Sequence, residues 1–174
     1  LRLSSAASDV YKRQIQDDAN ETNRILLHGV TASGKTEVYI HLVQEMVDKG
    51  KQVLFLLPEI ALTTQIIKRL YVHFGKCMSV YHSRYTPSER AEVWNKVLQQ
   101  HPSAQLIVGA RSAVLLPFSN IGLIIVDESH EVAYKQFESN PRYHARDVAV
   151  VLAGLHQAKI VMGSASPAIE STYN

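Results

Sequence analysis

The chain has 174 residues, 46% hydrophobic and 20% charged, with one cysteine and a formal net charge of +2. That is the size and make-up of one globular domain; it excludes a disulfide framework or a cysteine-based zinc site within these residues, and no apolar run approaches the roughly 18 residues of a membrane span. The charge gives no argument for a polyanionic partner: residues 1–14, LRLSSAASDVYKRQ, hold Arg2, Lys12 and Arg13 against Asp9, and taking those three from 18 basic and that one from 16 acidic residues leaves 15 of each. The same stretch has no clean period, no secretory h-region and no cleavage signal. It reads as a non-native or disordered leader and is set aside from fold reasoning.

The remainder alternates strand and helix signals. Residues 25–28 are a short apolar run, and 37–49 carry helical spacing through Val38, Leu42, Val43 and Met46 before stopping at Gly50. Residues 52–57, QVLFLL, are continuously apolar, as befits a strand covered on both faces. Residues 62–74 read as a helix ended by Gly75, and 78–81 as a short strand. Cys77, between them, is expected to be a buried structural thiol in a reducing, cytoplasmic protein. TPSERAEVWNKVLQQ opens with Thr86, has Pro87 at the first helical position, and places Glu89 three residues after the threonine. This is a capping box ahead of an apolar-periodic run, in which Trp94, spaced with Ala91 and Leu98, is read as core. Strands are expected at 105–108, 123–126 and 159–162 and a helix at 145–156. A last helical signal starts at Ala168 and is still running at Asn174, so the domain, residues 15–174, is expected to be cut short there. Strands alternating with helices need crossover connections, hence an α/β fold: a mostly parallel sheet with helices on both faces.

Gly29, Val30, Thr31, Ala32, Ser33, Gly34, Lys35 and Thr36 fit the P-loop spacing, with a strand signal before and a helix signal after. Phosphate oxygens need many donors at once, and backbone N–H groups supply them when no side chain blocks the approach. Lys35 is expected to reach the β- and γ-phosphates, Thr36 to place its hydroxyl on Mg²⁺, and the following helix to aim its positive end at the phosphates. A partner acid should end a neighbouring strand. In LIIVDESH, residues 123–130, Asp127 follows four apolar residues and suits the magnesium shell, partly through water. Glu128 suits a general base for the attacking water. Further on, Tyr134, Lys135, Phe137, Arg142, Tyr143, His144 and Arg146 interleave rings and cations. Rings stack on unpaired bases and cations meet phosphates, but on the residues alone a mixed surface loop whose tyrosines pack on the sheet is the favoured reading.

DESH is of the DExH type, and GSASP, residues 163–167, resembles the Ser-Ala-Thr motif of superfamily 2 helicases. More particular stretches follow: GVTASGKTEVY, LPEIALTTQ, VYHSRYTPSER, VGARSAVLLPF, GLIIVDESHE, YKQ, PRYHARDVAV and GSASPAIES. Together they resemble the first, RecA-like motor lobe of the bacterial replication-restart helicases, from about residue 25 to the end. The resemblance implies that residues 29–36 bind ATP and that Asp127 and Glu128 coordinate magnesium and activate water. His130 would sense the γ-phosphate and communicate with Ser164, Ala165 and Ser166, which couple hydrolysis to DNA movement. Ser166 replaces a more usual threonine, Ser129 a glutamate and Ala32 a glycine, and none of these removes a group the chemistry needs.

The aromatic segment, with Tyr134, Lys135, Arg142, Tyr143 and Arg146, would contact single-stranded DNA. Arg111 and Ser112, after the QLIV strand, and Thr63 and Thr64, at a helix start, would hold the DNA backbone, a salt bridge and a helix cap being the respective alternatives. His82 and Ser83 are read either as facing DNA or as an ordinary turn. The whole family protein is expected to be an ATP-dependent 3′-to-5′ helicase of replication restart, acting on single-stranded or forked DNA with primosome and replication proteins, away from membranes. Its second lobe, the zinc-binding cysteine region expected there and its amino-terminal DNA-end-binding domain lie outside these residues. An adenine-reading glutamine belongs upstream of the P-loop, and neither Gln14 nor Gln16 is assigned to it. The rival readings are another superfamily 2 translocase, such as a restriction-enzyme motor subunit, or a non-motor P-loop nucleotide-binding protein.

Overall fold

A computed structural model describes residues 23–28, 34–59, 65–137 and 140–164. Its elements are β1 (Arg24–His28), α1 (Lys35–Asp48), β2 (Gln52–Leu56), α2 (Gln65–Phe74), β3 (Met78–Tyr81), α3 (Pro87–Leu98), β4 (Leu106–Gly109), β5 (Ile121–Val126), α4 (Ala145–His156) and β6 (Lys159–Ser164). The strands form one parallel six-stranded sheet in the order β1-β6-β5-β2-β4-β3.

Alternation along each strand divides the core. Val53 and Phe55 join Ile25, Leu27, Leu123 and Ile125 under Val38, Leu42 and Val43 of α1 and Leu70 and Phe74 of α2. Leu54 and Leu56 join Ile124, Val126 and Ile160 on the other face, beneath Val93 and Val97 of α3 and the alanines 145, 149 and 153 of α4. Both faces are covered, so β2 is buried at all five positions and its sequence reads as an unbroken apolar run. Small side chains at every fourth position let α4 lie close to β5.

Helix starts follow local chemistry. Thr86 accepts from the Glu89 N–H at 3.3 Å, and the Glu89 carboxylate accepts from the Thr86 N–H at 2.8 Å, closing the expected capping box. α1 has no side-chain cap; it begins after Gly34, whose φ of 86° lies in the left-handed region that glycine enters freely. At the opposite end of the sheet, the buried Gln52 donates to Val97 O and accepts from the Ser119 and Asn120 N–H groups, tying β2 to α3 and to the approach of β5.

Two expectations change. Trp94 is 43% exposed, not core: the Ala91, Trp94 and Leu98 stripe runs beside the Val93 and Val97 stripe, and it is the valines that face the sheet. Cys77 is half-buried, with its thiol directed to Phe74 O at 3.4 Å, and burial raises its pKa. The leader at 1–14, the start of the helix expected at 62–74 and the helix expected from Ala168 lie outside the described residues.

Candidate nucleotide site

β1 and β5 end at the same rim of the sheet with β6 between them. The chain leaves β1 toward α1 on one face and leaves β5 toward α4 on the other. Where successive connections part to opposite faces, a crevice opens at the carboxyl ends of the strands, the usual ligand position in open α/β sheets.

Side chains from distant parts of the chain meet there. Lys35, the first residue of α1, brings Nζ to 3.4 Å from Glu128 Oε1, with its side chain 10% exposed. Asp127 leaves β5 with its N–H bonded to Leu56 O at 3.0 Å, so β2 fixes its height. Its Oδ1 accepts from the Tyr39 hydroxyl at 2.9 Å. Burial raises the Asp127 pKa; the Tyr39 hydrogen bond and the Lys35 charge pull it down, and the neighbouring Glu128 charge pushes it up. Glu128 has a left-handed φ of 48°, and the two carboxylates take different partners, Tyr39 for Asp127 and Lys35 for Glu128. His130 Nδ1 stands 2.8 Å from Ser164 Oγ at the end of β6, and 3.7 Å from Glu128 Oε2. Ser129 N–H donates to Gly163 O at 2.9 Å, a second tie between the acidic turn and β6. Thr36 is half-buried in the first turn of α1.

The donor set suits a magnesium nucleotide. A half-buried acidic pair faces one lysine, and burial makes the Asp127 charge expensive, which is the deficit a divalent cation would remove. Among the described residues no cluster of three or more His, Cys, Asp or Glu could hold a metal by itself. One carboxylate, one hydroxyl and phosphate oxygens is the kind of shell Mg²⁺ takes.

A family model described as DEAD/DEAH box helicase matches residues 10–174. The chain belongs to the DEAD/DEAH box helicase family. Within the curated proteins it is 46% identical over 154 residues to Replication restart protein PriA of Bacillus subtilis, covering 88% of this chain and 19% of that protein. It is 45% identical over 149 residues to the protein of the same name from Synechocystis, covering 86% and 18%. This helicase-family chain therefore spans about a fifth of the length of those relatives. Two solved structures share its α/β fold. The structure of RecG bound to a three-way DNA junction superposes with a TM-score of 0.63 at 23% identity, over 92% of this chain and 21% of that one. The Hef helicase domain of Pyrococcus furiosus gives 0.60 at 23% identity, over 91% and 32%.

The other expected residues of this helicase-family chain divide three ways. Gly29 to Ser33, Thr63, Thr64, Ala165 and Ser166 lie outside the described residues. Lys135, Arg142 and Tyr143 are gathered on a hairpin: residues 135 and 144 pair antiparallel, Gln136 N–H donates to Tyr143 O at 2.8 Å, and Lys135 Nζ stands 4.8 Å from the centre of the Phe137 ring, which is 53% exposed. Arg111 joins this hairpin by donating to Lys135 O at 3.0 Å, and among the described residues it makes no salt bridge. Ser112 follows it, half-buried in the 3-10 turn Arg111–Leu115. Arg146 pairs with Asp147 at 3.1 Å on α4. His82 stacks at a tilt on Tyr85, and Ser83 donates to Glu59.

Tyr134 is a correction. It is fully buried, so its ring offers no face to a base. Its hydroxyl stands 2.6 Å from Asp127 O and 3.1 Å from Leu56 O. A phenol has one proton, and the shorter contact takes it. Tyr134 thus braces the acidic turn from beneath, and its chain neighbour Lys135 opens the hairpin.

Two residues were missed: Tyr39 and Gly163. Tyr39 had a readable signal, since a residue four after Lys35 leaves a helix on the same face.

Proposed function

We propose that residues 15–174 are the ATP-binding lobe of a 3′-to-5′ DNA helicase of replication restart, coupling ATP hydrolysis to movement along single-stranded DNA. The observation that carries the reading is the joining of Lys35, Glu128, Asp127, His130 and Ser164 at one strand rim, in a chain so similar to replication restart proteins. The direction of travel, the primosome and replication partners and the cytoplasmic location rest on that family resemblance.

In this reading residues 29–34 cradle the phosphates with backbone N–H groups, and Lys35 Nζ moves from Glu128 to the β- and γ-phosphate oxygens. Thr36 Oγ1 and Asp127 would hold the magnesium shell. When bound, magnesium would neutralise charge gathering on the phosphate oxygens during transfer. Glu128, freed of Lys35, orients the attacking water and takes its proton at a carboxylate oxygen. His130 relays the state of the γ-phosphate to Ser164 through the bond already made between them. The hairpin 135–144 meets single-stranded DNA with Lys135, Phe137 and Arg142, and Arg111 braces it. Thr63, Thr64, Ser112, Tyr143, Arg146 and Ser166 belong to the same DNA-binding or coupling surface.

The test is ATP hydrolysis by the full-length protein with and without single-stranded DNA. The parent should be strongly stimulated, and Lys35→Ala should lose at least about 100-fold under both conditions. A Lys35→Ala protein with parent-like, DNA-stimulated turnover would remove the reading. Hydrolysis in the parent that ignores single-stranded DNA would favour a non-motor P-loop protein.

A further inference from the structure

Tyr39 stands one turn beyond Lys35, so α1 delivers both side chains to the acidic turn. Lys35 meets Glu128, and Tyr39 meets the acid beside it, Asp127. The ring cannot wander: Tyr39 is fully buried and meets Phe55 edge-on, with centroids 5.3 Å apart at 89°. Its hydroxyl has room because of β6. A Cβ built on Gly163 would overlap the Tyr39 oxygen and come within 2.8 Å of Asp127 Oδ1. Donor and acceptor therefore meet in the space of the side chain that Gly163 lacks. A ring present only to fill the core would serve as well as phenylalanine, and would need no glycine against its oxygen.

We infer that Tyr39 is a positioning residue. Its hydroxyl holds Oδ1 of Asp127 so that the carboxylate meets the magnesium shell of a bound nucleotide in one orientation, and Gly163 is the strand residue that permits it. This rests on the nucleotide reading of the site given above. It adds a residue of α1, outside the P-loop spacing, and a glycine of β6 to the parts that set the metal's position.

The test uses the full-length protein and a fluorescent ATP analogue, titrated with and without Mg²⁺. Tyr39→Phe keeps the ring and its contact with Phe55. Its metal-free affinity should equal the parent's, while the tightening brought by magnesium should shrink by about tenfold or more. In hydrolysis kcat should fall, and KM for the magnesium nucleotide should rise with the lost tightening. Gly163→Ala should lose the same magnesium response and melt at a lower temperature. Adding Tyr39→Phe to Gly163→Ala should recover part of that melting temperature, because the oxygen that the methyl overlaps is gone. A parent-like magnesium response and kcat in Tyr39→Phe would overturn the inference. Lys35→Ala, run alongside, separates the two possible failures. If it loses nucleotide while Tyr39→Phe matches the parent, the positioning role alone falls. If Lys35→Ala also keeps its affinity, the nucleotide reading falls and this inference goes with it.

Discussion

Glu128 occupies a left-handed conformation directly after β5, which costs on the order of 1 kcal/mol for a residue with a Cβ. With that turn in place, Asp127 stays with Tyr39 while Glu128 reaches Lys35. Glu128→Gln keeps the shape and loses the base. Single-turnover hydrolysis by the full-length protein is expected to slow by about 10²–10⁴-fold with nucleotide affinity held within a few fold; lost affinity with intact turnover would refute the assignment. The two tyrosines at Asp127 give a pH prediction. Burial, with the charge of Asp127 beside each, holds both phenols protonated well above the ordinary tyrosine range. An unfolded tyrosine ionises near pH ~10. Above that pH the folded state binds more protons than the unfolded one, so this contribution to stability is complete below about pH 10 and is lost as pH rises further. Phenolate absorbance from Tyr39 and Tyr134 should therefore appear only on unfolding, and Tyr39→Phe should remove one late-ionising group; if the late amplitude stays the same, Tyr39 is not buried as described. That Lys35 meets an acidic pair was legible in the P-loop spacing and in the acids that follow an apolar run, whereas His130 came from the helicase resemblance. The Tyr39 bond was not: its acceptor is 88 residues away, and only the strand order brings the two together.

At the level of elements, the β2, β3 and β5 strands declared themselves by apolar runs, and α3 by its Thr86, Pro87 and Glu89 start. The facing of α3 was less legible. Two adjacent stripes have helical spacing, and the spacing of Trp94 with Ala91 and Leu98 pointed to the wrong one; the β-branched Val93 and Val97 fit against the strands and leave the indole half in solvent. Thr86→Ala should open the first turn of α3, raising hydrogen exchange of the amides near Glu89 about fivefold and leaving ATP turnover unchanged. Exchange equal to the parent's would mean that the box contributes nothing. The hairpin at 135–144 carries the ring left open to solvent, Phe137, while Tyr134 and the Arg111 bond anchor its base. Sequence marked this segment as mixed rings and cations without separating brace from contact surface, because burial within a loop depends on what lies beneath it. Phe137→Ala in the full-length protein is expected to weaken stimulation of ATPase by single strands by about tenfold, an aromatic–base stack being worth roughly 1–3 kcal/mol, with the DNA-free rate unchanged. Undiminished stimulation would take Phe137 out of the DNA surface.

Across the whole molecule, the strand order does the joining. β6 lies between β1 and β5, and its end touches both sides of the site: Gly163 makes room for the Tyr39 and Asp127 pair and accepts from Ser129, and Ser164 holds His130. A displacement at the end of β6 would be felt at once by the lysine helix and by the acidic turn, and Tyr134 ties that turn to the hairpin. In the proposed function this would be a short mechanical route between the nucleotide and DNA sides. The chain spans about a fifth of the length of the replication restart relatives, so the hydrolysis and unwinding proposed above are tested on the full-length protein. The parallel order of the sheet was predictable from alternating strand and helix signals, but the insertion of β6 beside β1 was not, since parallel crossovers leave several strand orders open. The most direct test is a structure of the full-length protein with a non-hydrolysable ATP analogue and Mg²⁺. Lys35 Nζ is expected to leave Glu128 for the β- and γ-phosphate oxygens, with Asp127 in the water shell of the metal and still bonded to Tyr39; a triphosphate bound away from the ends of β1 and β5, with the Lys35 to Glu128 pair unbroken, would contradict the account.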